Sequence, residues 1–297
     1  MVTMNLLSIK DLDRKIVEQI LNSAEEIANG RKVDLNGKIL ATLFFEASTR
    51  TKLSFHSAAL RSGMQYIDFQ PENSSLKKGE SYRDTIKIVS GYADALAIRH
   101  PKEGAARLAA DITDKPIVNC GDGGNQHPSQ TLIDLYTIRK NKGRITNLNV
   151  TLLGDLKHAR AMRSLLYGLG MFGANVTLVA PHGLEIEEDY IEEVKKKFRF
   201  KIVNEKKLNL EKTDVLYVCR IQQERFSDPY EAKRIMDEFM VKEEDLKDGK
   251  EDLIILHPLP KINEIESGID TMPQAKYFEQ AHNGVPVRQA VLEQVLK

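Results

Sequence analysis

Short apolar runs alternate with helix-like segments along the whole chain. The predicted strands are residues 39–45, 64–69, 95–98 and 117–119 in the first half, and 150–153, 176–180, 201–203, 215–219 and 253–256 in the second. Such alternation is typical of a largely parallel sheet with helices on its faces. It therefore predicts an α/β chain of two doubly wound domains, each a mostly parallel sheet flanked by helices.

The 297 residues are enough for two domains of ordinary size. A charged, glycine-containing stretch at 139–148 predicts the boundary, so the domains are expected at residues 1–142 and 143–284. A closing helix from about Val287, within 285–297, is expected to pack back on the first domain. Residues 227–250 are highly charged with little apolar periodicity, a composition compatible with a mobile lid.

Composition narrows the choice of partner. Lys plus Arg and Asp plus Glu both number 43, so no bulk charge recommends nucleic acid or a membrane surface. No apolar run approaches the roughly 20 residues of a membrane span, and we expect a soluble, cytoplasmic protein. Cys120 and Cys219 lack the paired spacing of a metal site or disulfide framework and are expected to be reduced and buried.

The turn Ser48-Thr49-Arg50-Thr51 joins the strand at 39–45 to a helical segment. The first N–H groups of a helix have no partner inside it, and the positive end of its dipole lies there. Three hydroxyls and one guanidinium at that place suit a phosphate group. Taken alone, the turn is equally compatible with a Ser48 N-cap and a solvated Arg50, so the rest of the chain has to decide.

Other polar clusters also follow predicted strands, where ligands lie in sheets of this type. They are Arg99–Pro101 and the glycine-rich segment Cys120–Gln130 in the first half, and Arg220–Arg225 in the second. His127 lies beside a helix start, which favours a functional role over a structural one. The cluster at 220–225 is also compatible with a surface ion-pair network. The polar loop at 70–80 is also compatible with solvent-exposed side chains that have no functional role. The turn after Leu153 lacks the G-x-G-x-x-G spacing, so no nicotinamide or flavin cofactor is indicated.

Six stretches together resemble the catalytic chain of the aspartate carbamoyltransferase family, in the same order and over nearly the full length. They are S-T-R-T at 48–51, K-K-G-E at 77–80, R-H-P at 99–101, N-Q-H-P-S-Q at 125–130, G-D-L-K-x-x-R at 154–160 and H-P-L-P at 257–260. The first, third and fourth are shared with ornithine carbamoyltransferases. Those enzymes typically carry cysteine where this chain has Pro258, so the resemblance favours aspartate. Arg160 and Arg220 agree, because a substrate with two carboxylates needs two cationic anchors.

The resemblance implies transfer of the carbamoyl group of carbamoyl phosphate to the amine of L-aspartate. The products would be N-carbamoyl-L-aspartate and phosphate, in de novo pyrimidine (UMP) biosynthesis, with neither metal nor cofactor. The residues implied for catalysis are Arg50, Thr51, Arg99 and His127. Those implied for carbamoyl phosphate are Ser48, Thr49, Arg50, Thr51, Arg99, His127, Gln130, Pro258, Leu259 and Pro260. Those implied for aspartate are Lys78, Arg160, Arg220 and Gln222.

The resemblance also implies a homotrimer, in which Ser74 and Lys78 serve the site of a neighbouring subunit. Whether such trimers join zinc-containing regulatory chains in a larger allosteric assembly is left open. Two alternatives also remain open: a transcarbamoylase for another amine such as ornithine, and a catalytically silent homologue acting as a binding or assembly subunit.

The chain departs from the family at three places. It has Ala47 where proline is usual, His158-Ala159 where Tyr-Gly is usual, and Lys261 where arginine is usual. The first is expected to loosen the approach to the anion turn, and the other two lie beside the aspartate half. None removes a residue implied to bind substrate, so the departures bear on affinity more than on chemistry.

Overall fold

A computed structural model describes residues 4–222, 226 and 228–297 of the chain. The chain forms two compact units. The first reaches Tyr136 and takes in Asn283–Lys297, and the second is Thr137–His282. In the described part of the chain, no helix is both long and apolar enough to cross a membrane.

The first unit is built on a parallel four-stranded sheet. In chain order its elements are α1 (Arg14–Ala28), β1 (Ile39–Phe44), α2 (Thr49–Arg61), β2 (Gln65–Phe69), α3 (Tyr82–Ser90), β3 (Ala95–His100), α4 (Ala105–Ala110), β4 (Ile117–Asp122) and most of α5 (Pro128–Lys142). The strand order is β2-β1-β3-β4, and all neighbours are parallel. β1 and β3 read as nearly continuous apolar runs because both faces of a parallel sheet are covered.

The core of this unit follows the two-residue alternation of the strands. Ala41 and Leu43 of β1 and Leu96 of β3 share one buried cluster with Ile86 of α3 and Ala106 of α4. Thr42 points to the other face, where its hydroxyl lies 2.9 Å from Nε2 of His56 in α2. The sheet is therefore held between α2 on one face and α3 and α4 on the other.

The second unit is built on a parallel five-stranded sheet. Its elements are β5 (Asn149–Gly154), α6 (Arg160–Phe172), β6 (Asn175–Val179), α7 (Glu188–Lys197), β7 (Ile202–Glu205), β8 (Val215–Cys219), α8 (Pro229–Glu238), β9 (Ile254–Leu256) and the first part of α9 (Tyr277–Val295). The strand order is β7-β6-β5-β8-β9. The predicted fold class is thus confirmed: two parallel sheets, each flanked by helices.

Three regions differ in detail from the sequence-based expectations. The last helix begins at Tyr277 rather than near Val287, and Pro286 lies inside it. The units change inside α5 and α9, while the predicted boundary after residue 142 lies at the end of α5. Residues 228–250 contain α8 and a 3₁₀ turn at Glu243–Asp248, whereas Ser227 of the predicted lid lies outside the described residues. A change of unit inside a helix leaves no glycine or proline signal in the sequence.

The guanidinium of Arg31, just after α1, connects the end of α9 to α1. Arg31 donates from Nη1 to Oε1 of Glu293 at 2.9 Å and from Nη2 to Oε2 at 2.8 Å, and Ser23 donates to the same carboxylate at 2.8 Å. These hydrogen bonds lower the pKa of Glu293 to about 2, against the opposing effect of burial. Arg31 also pairs with Glu26 at 2.9 Å, but Glu26 is 62% exposed and Glu293 only 19%.

This geometry predicts that Glu293→Gln lowers the free energy of unfolding at pH 7 by about 2 kcal/mol. The ionised form is favoured in the folded state, so its contribution is complete above pH about 4.5 and is lost as the pH falls toward 2. Urea unfolding at pH 7 and pH 3 measures this, and the gap between wild type and variant should shrink at pH 3. Glu26→Gln, which removes the exposed partner of the same arginine, is the control and should cost at most about 1 kcal/mol. Equal losses in the two variants would contradict the assignment.

Candidate active site

The turn between β1 and α2 has the form expected of an anion site. Ser48 occupies the N-cap position with extended backbone, but its side chain makes no capping hydrogen bond. At this end of the helix, the Lys52 N–H donates to the Ser48 carbonyl at 3.2 Å. The N–H groups ahead of it therefore have no acceptor within the helix. Ser48 is therefore the N-cap residue by backbone conformation alone, and its hydroxyl makes no capping hydrogen bond.

The strand order explains why other polar residues belong with this turn. From β1 the chain passes to β2 on one side, and β3 and β4 lie on the other side. Between β1 and β3 the direction of winding reverses, and ligands of open α/β sheets bind at such a point. Phe44 is paired with Arg99 across these two strands, and the N–H of Phe45 donates to the Arg99 carbonyl at 2.9 Å. The anion turn and Arg99 therefore meet at the reversal point of the first sheet.

The Arg99 guanidinium is held from both sides. Its Nη2 lies 3.0 Å from Oε1 of Glu46, and its Nη1 donates to the Cys120 carbonyl at 3.2 Å. The side chain is only 13% exposed. Glu46 was not among the candidates predicted from the sequence, although an acidic residue two positions before the S-T-R-T turn was the available signal.

The loop after β4 places His127 and Gln130 at the same edge of the sheet. The buried carboxylate of Asp122 organises this loop: it accepts hydrogen bonds from the Asn119 side chain at 2.9 Å, the Asn125 side chain at 3.1 Å and the Gln126 N–H at 3.2 Å. His127 is buried, and its Nδ1 lies 3.4 Å from the Ser129 hydroxyl. The side chain of Gln130, in the first turn of α5, donates to Asp134 at 2.8 Å.

Ser74 and Lys78 lie elsewhere in this unit. They follow β2, the edge strand, which is on the opposite side of β1 from Arg99. The Ser74 hydroxyl donates to the Pro71 carbonyl at 2.8 Å and caps a 3₁₀ turn at Ser75–Lys78, and Lys78 is exposed. The structure therefore does not bring Ser74 and Lys78 together with the reversal-point residues of the same chain.

The second unit repeats the arrangement with the aspartate candidates. Arg160 opens α6 after β5, and Arg220 and Gln222 follow β8, the neighbour of β5. The winding of this sheet also reverses, between β5 and β8. Gly154 has φ +117°, and a Cβ there would lie 2.1 Å from the Cys219 carbonyl oxygen, so only glycine permits these strand ends to approach. Residues 223–225 of the predicted cluster lie outside the described residues.

The segment His257-Pro258-Leu259-Pro260 follows β9, the strand next to β8 in the same sheet.

Two of the positions at which the chain departs from the family have polar partners in this unit. Lys261 forms an ion pair with Asp270 at 3.0 Å, and His158 Nδ1 lies 3.1 Å from the buried carboxylate of Asp155. In the described residues, His, Cys, Asp and Glu side chains form no group of three or more suited to a metal ion.

Comparison with known proteins agrees with this division. The family model described as "Aspartate/ornithine carbamoyltransferase, carbamoyl-P binding domain" matches residues 4–140. The one described as "Aspartate/ornithine carbamoyltransferase, Asp/Orn binding domain" matches residues 146–295.

Relatives match over nearly their whole length. The aspartate carbamoyltransferase catalytic subunit of Methanopyrus kandleri is 47% identical, over 98% of this chain and 97% of that one. The catalytic subunit of Archaeoglobus fulgidus is 46% identical, over 98% and 99%.

Solved structures agree as well. The catalytic subunit of M. jannaschii aspartate transcarbamoylase superposes with a TM-score of 0.91 at 45% identity, covering 98% of this chain and 97% of that chain. Trypanosoma cruzi aspartate transcarbamoylase in complex with carbamoyl phosphate and aspartate superposes with a TM-score of 0.93 at 32% identity, covering 99% and 96%. By its sequence and by both halves of its fold, the chain belongs to the aspartate/ornithine carbamoyltransferase family.

Proposed function

We propose that this chain is an aspartate carbamoyltransferase, which moves the carbamoyl group of carbamoyl phosphate to the amine of L-aspartate. N-carbamoyl-L-aspartate and phosphate are formed, in pyrimidine biosynthesis. One observation carries the proposal: in a chain of this family, the reversal point of each sheet holds arginine side chains beside hydroxyl or amide groups. Both substrates are anions, and such groups suit them.

The first unit supplies the groups for carbamoyl phosphate. Ser48, Thr49, Arg50 and Thr51 bind the phosphate through side chains and the open N–H groups of α2, together with Arg99. The N–H groups carry partial positive charge and the guanidinium ions carry full positive charge. Both stabilise the negative charge that the phosphate carries when it leaves. Thr51, Arg99 and His127 donate to the carbonyl oxygen of the substrate, and Gln130 binds the carbamoyl NH2.

The second unit supplies the groups for aspartate. Arg160 and Arg220 each bind a carboxylate, Gln222 adds a hydrogen bond, and Lys78 of a neighbouring subunit completes the set. The carbonyls of Pro258 and Leu259 accept from the carbamoyl NH2, and Pro260 ends that loop. Pro258 also separates this chain from ornithine enzymes, which typically have cysteine there.

The chemistry needs only alignment and charge stabilisation. The neutral amine of aspartate attacks the carbamoyl carbon, and the carbonyl oxygen becomes an oxyanion. The bond from that carbon to the phosphate oxygen then breaks, and the phosphate takes up the proton lost by the amine. Groups that donate to the oxyanion act most strongly in the transition state, where each is worth about 3 kcal/mol.

We further propose a homotrimer, supported by an exposed apolar patch on α2 and β2. Leu53 and Leu60, seven residues apart on one face of α2, are 60% and 59% exposed, and Tyr66 of the edge strand is also exposed. The ring of His56 in α2 stacks on Tyr66 at 3.9 Å, so the patch is continuous from helix to strand. Large apolar patches at a free strand edge mark subunit interfaces. The loop that carries Ser74 and Lys78 follows this strand directly, so it lies where a neighbouring subunit would be reached.

The reaction itself is tested by incubating the purified chain with carbamoyl phosphate and either L-aspartate or L-ornithine. We expect phosphate release and carbamoyl-aspartate with aspartate only. Turnover with ornithine instead would identify another transcarbamoylase. A folded oligomer that is inactive with both amines would support the binding-subunit alternative.

Removing either phosphate-binding guanidinium should abolish most of the activity. Arg50→Ala and Arg99→Ala are each expected to lower kcat/KM by about 100-fold or more, because each removes a charge-assisted contact to the leaving phosphate. Steady-state kinetics measures this, and circular dichroism checks the fold. Arg61→Ala, at the opposite end of α2, is the matched control and should keep near-normal turnover. Near-normal turnover in Arg50→Ala or Arg99→Ala would argue against the phosphate assignment.

The shared site makes a complementation prediction. Lys78→Ala and Arg50→Ala trimers are each expected to be nearly inactive, but dissociated and reassembled mixtures should regain activity. In a mixed trimer, some interfaces join an intact Arg50 to an intact Lys78 of the neighbour. Mixing Lys77→Ala with Arg50→Ala is the control: it should show only the activity that the Lys77→Ala subunits bring. If Lys78→Ala and Arg50→Ala never complement, Lys78 does not act in trans.

A further inference from the structure

Behind the loop His257–Pro260 lies a buried pair of polar side chains that the proposed reaction does not use. Nε2 of His257 lies 2.7 Å from Oε1 of Glu264, and both residues are buried, His257 being 2% exposed and Glu264 6%. Nδ1 of His257 accepts a hydrogen bond from the N–H of Leu259 at 2.8 Å. One imidazole ring thus joins the backbone of the loop to a buried carboxylate.

The hydrogen bonds determine the form of the ring. A backbone N–H can only donate, so Nδ1 must be the unprotonated nitrogen. The ring proton of the neutral imidazole therefore lies on Nε2 and points at Glu264. The main-chain N–H of His257 is held as well, because it donates to Oε1 of Gln280 in α9 at 2.9 Å.

Glu264 is occupied on both oxygens. Besides the contact with His257, its Oε2 accepts from the N–H of Ile262 at 3.0 Å and from the N–H of Asn263 at 3.1 Å. A carboxylate is the side chain that accepts on both oxygens at once, whereas glutamine offers one acceptor and one donor. The pair therefore ties the residues before and after Pro260 to one buried group.

The restrained residue is itself in an unusual conformation. Leu259 has φ +56°, a left-handed conformation that a residue with a Cβ rarely adopts. The direction of the Leu259 and Pro258 carbonyls depends on this dihedral angle, because the peptide plane turns with it. The hydrogen bond from Leu259 N–H to His257 acts directly on that peptide.

We propose that His257 and Glu264 are positioning residues for the carbamoyl transfer: the ring of His257, oriented by Glu264, fixes the Leu259 peptide so that the loop carbonyls face the carbamoyl NH2. This inference rests on the proposed function. It assigns the two side chains no contact with substrate, and their effect passes through the loop backbone.

The two hydrogen bonds of the ring can be separated by substitution at residue 257. In His257→Asn, the side-chain oxygen takes the place of Nδ1 and can accept from the N–H two residues on, as asparagine does in turns. In His257→Gln, the side-chain amide reaches the place of Nε2 and keeps a donor for Glu264, but no acceptor remains for Leu259. His257→Ala loses both bonds.

We expect kcat to follow the Leu259 hydrogen bond. His257→Asn should stay within about threefold of wild type, whereas His257→Gln and His257→Ala should lose about 10- to 100-fold, the range for a lost buried hydrogen bond in the transition state. Glu264→Gln should lose about 10-fold, because its amide group faces the N–H donors of residues 262 and 263. Glu266→Gln is the matched control, since Glu266 accepts from the N–H of Glu243 at 2.8 Å, away from this loop, and should leave kcat unchanged.

Thermal midpoints and hydrogen exchange of the Leu259 amide, measured on the same proteins, separate positioning from plain stability. Support requires that His257→Asn retains protection of that amide and kcat, whatever its midpoint. A loss of kcat in His257→Asn as large as that in His257→Ala, or equal activity in all four loop variants and wild type, would overturn the proposal. An inactive wild type would instead refute the proposed function, so the two failures are distinct.

Discussion

The site depends on the fact that parallel strands all end at the same edge of their sheet. Each connection returns the chain through a helix, so polar residues that follow distant strands arrive at one edge. In the first unit this brings the turn at Ser48–Thr51 and Arg99 together, and in the second it brings Arg160 near Arg220. The helix that follows β1 adds open N–H groups at the place where negative charge is to be held.

In a chain with no net charge, the proposed binding of two anions depends on local arrangement. Its 43 basic residues are balanced by 43 acidic ones, and attraction to a substrate comes from where a few guanidinium ions are placed. The Arg99 guanidinium is an example: it is largely buried, and it donates hydrogen bonds to Glu46 and to the Cys120 carbonyl. A carboxylate beside an arginine that is proposed to bind substrate also keeps the position of that guanidinium defined before an anion arrives.

Buried carboxylates play a second role, which is to shape loops. Asp122 organises the loop that leads to His127, and Glu264 does the same for the segment around Leu259, each by accepting several N–H donors. Burial raises the pKa of Glu264, but hydrogen bonds from His257 and from backbone N–H groups bring it below its usual value. Both loops follow a strand directly, so the rigid sheet is extended by rigid polar networks. The left-handed conformation of Leu259, which costs about 1 to 2 kcal/mol, is tolerated in such a setting.

The sequence by itself determined the strands, the fold class and the candidate residues, because apolar runs, helical spacing and short motifs are local features. It pointed to the S-T-R-T turn and His127 as candidates without any knowledge of the sheet. Only the tertiary structure decided which strands are neighbours, and therefore that the proposed anion-binding groups follow the strands at both reversal points. It also revealed the supporting carboxylates of Glu46 and Glu264 and the start of α9 at Tyr277, which local patterns do not encode. Strand order and long-range hydrogen bonds arise from packing between residues far apart in the chain, so no window of sequence contains them.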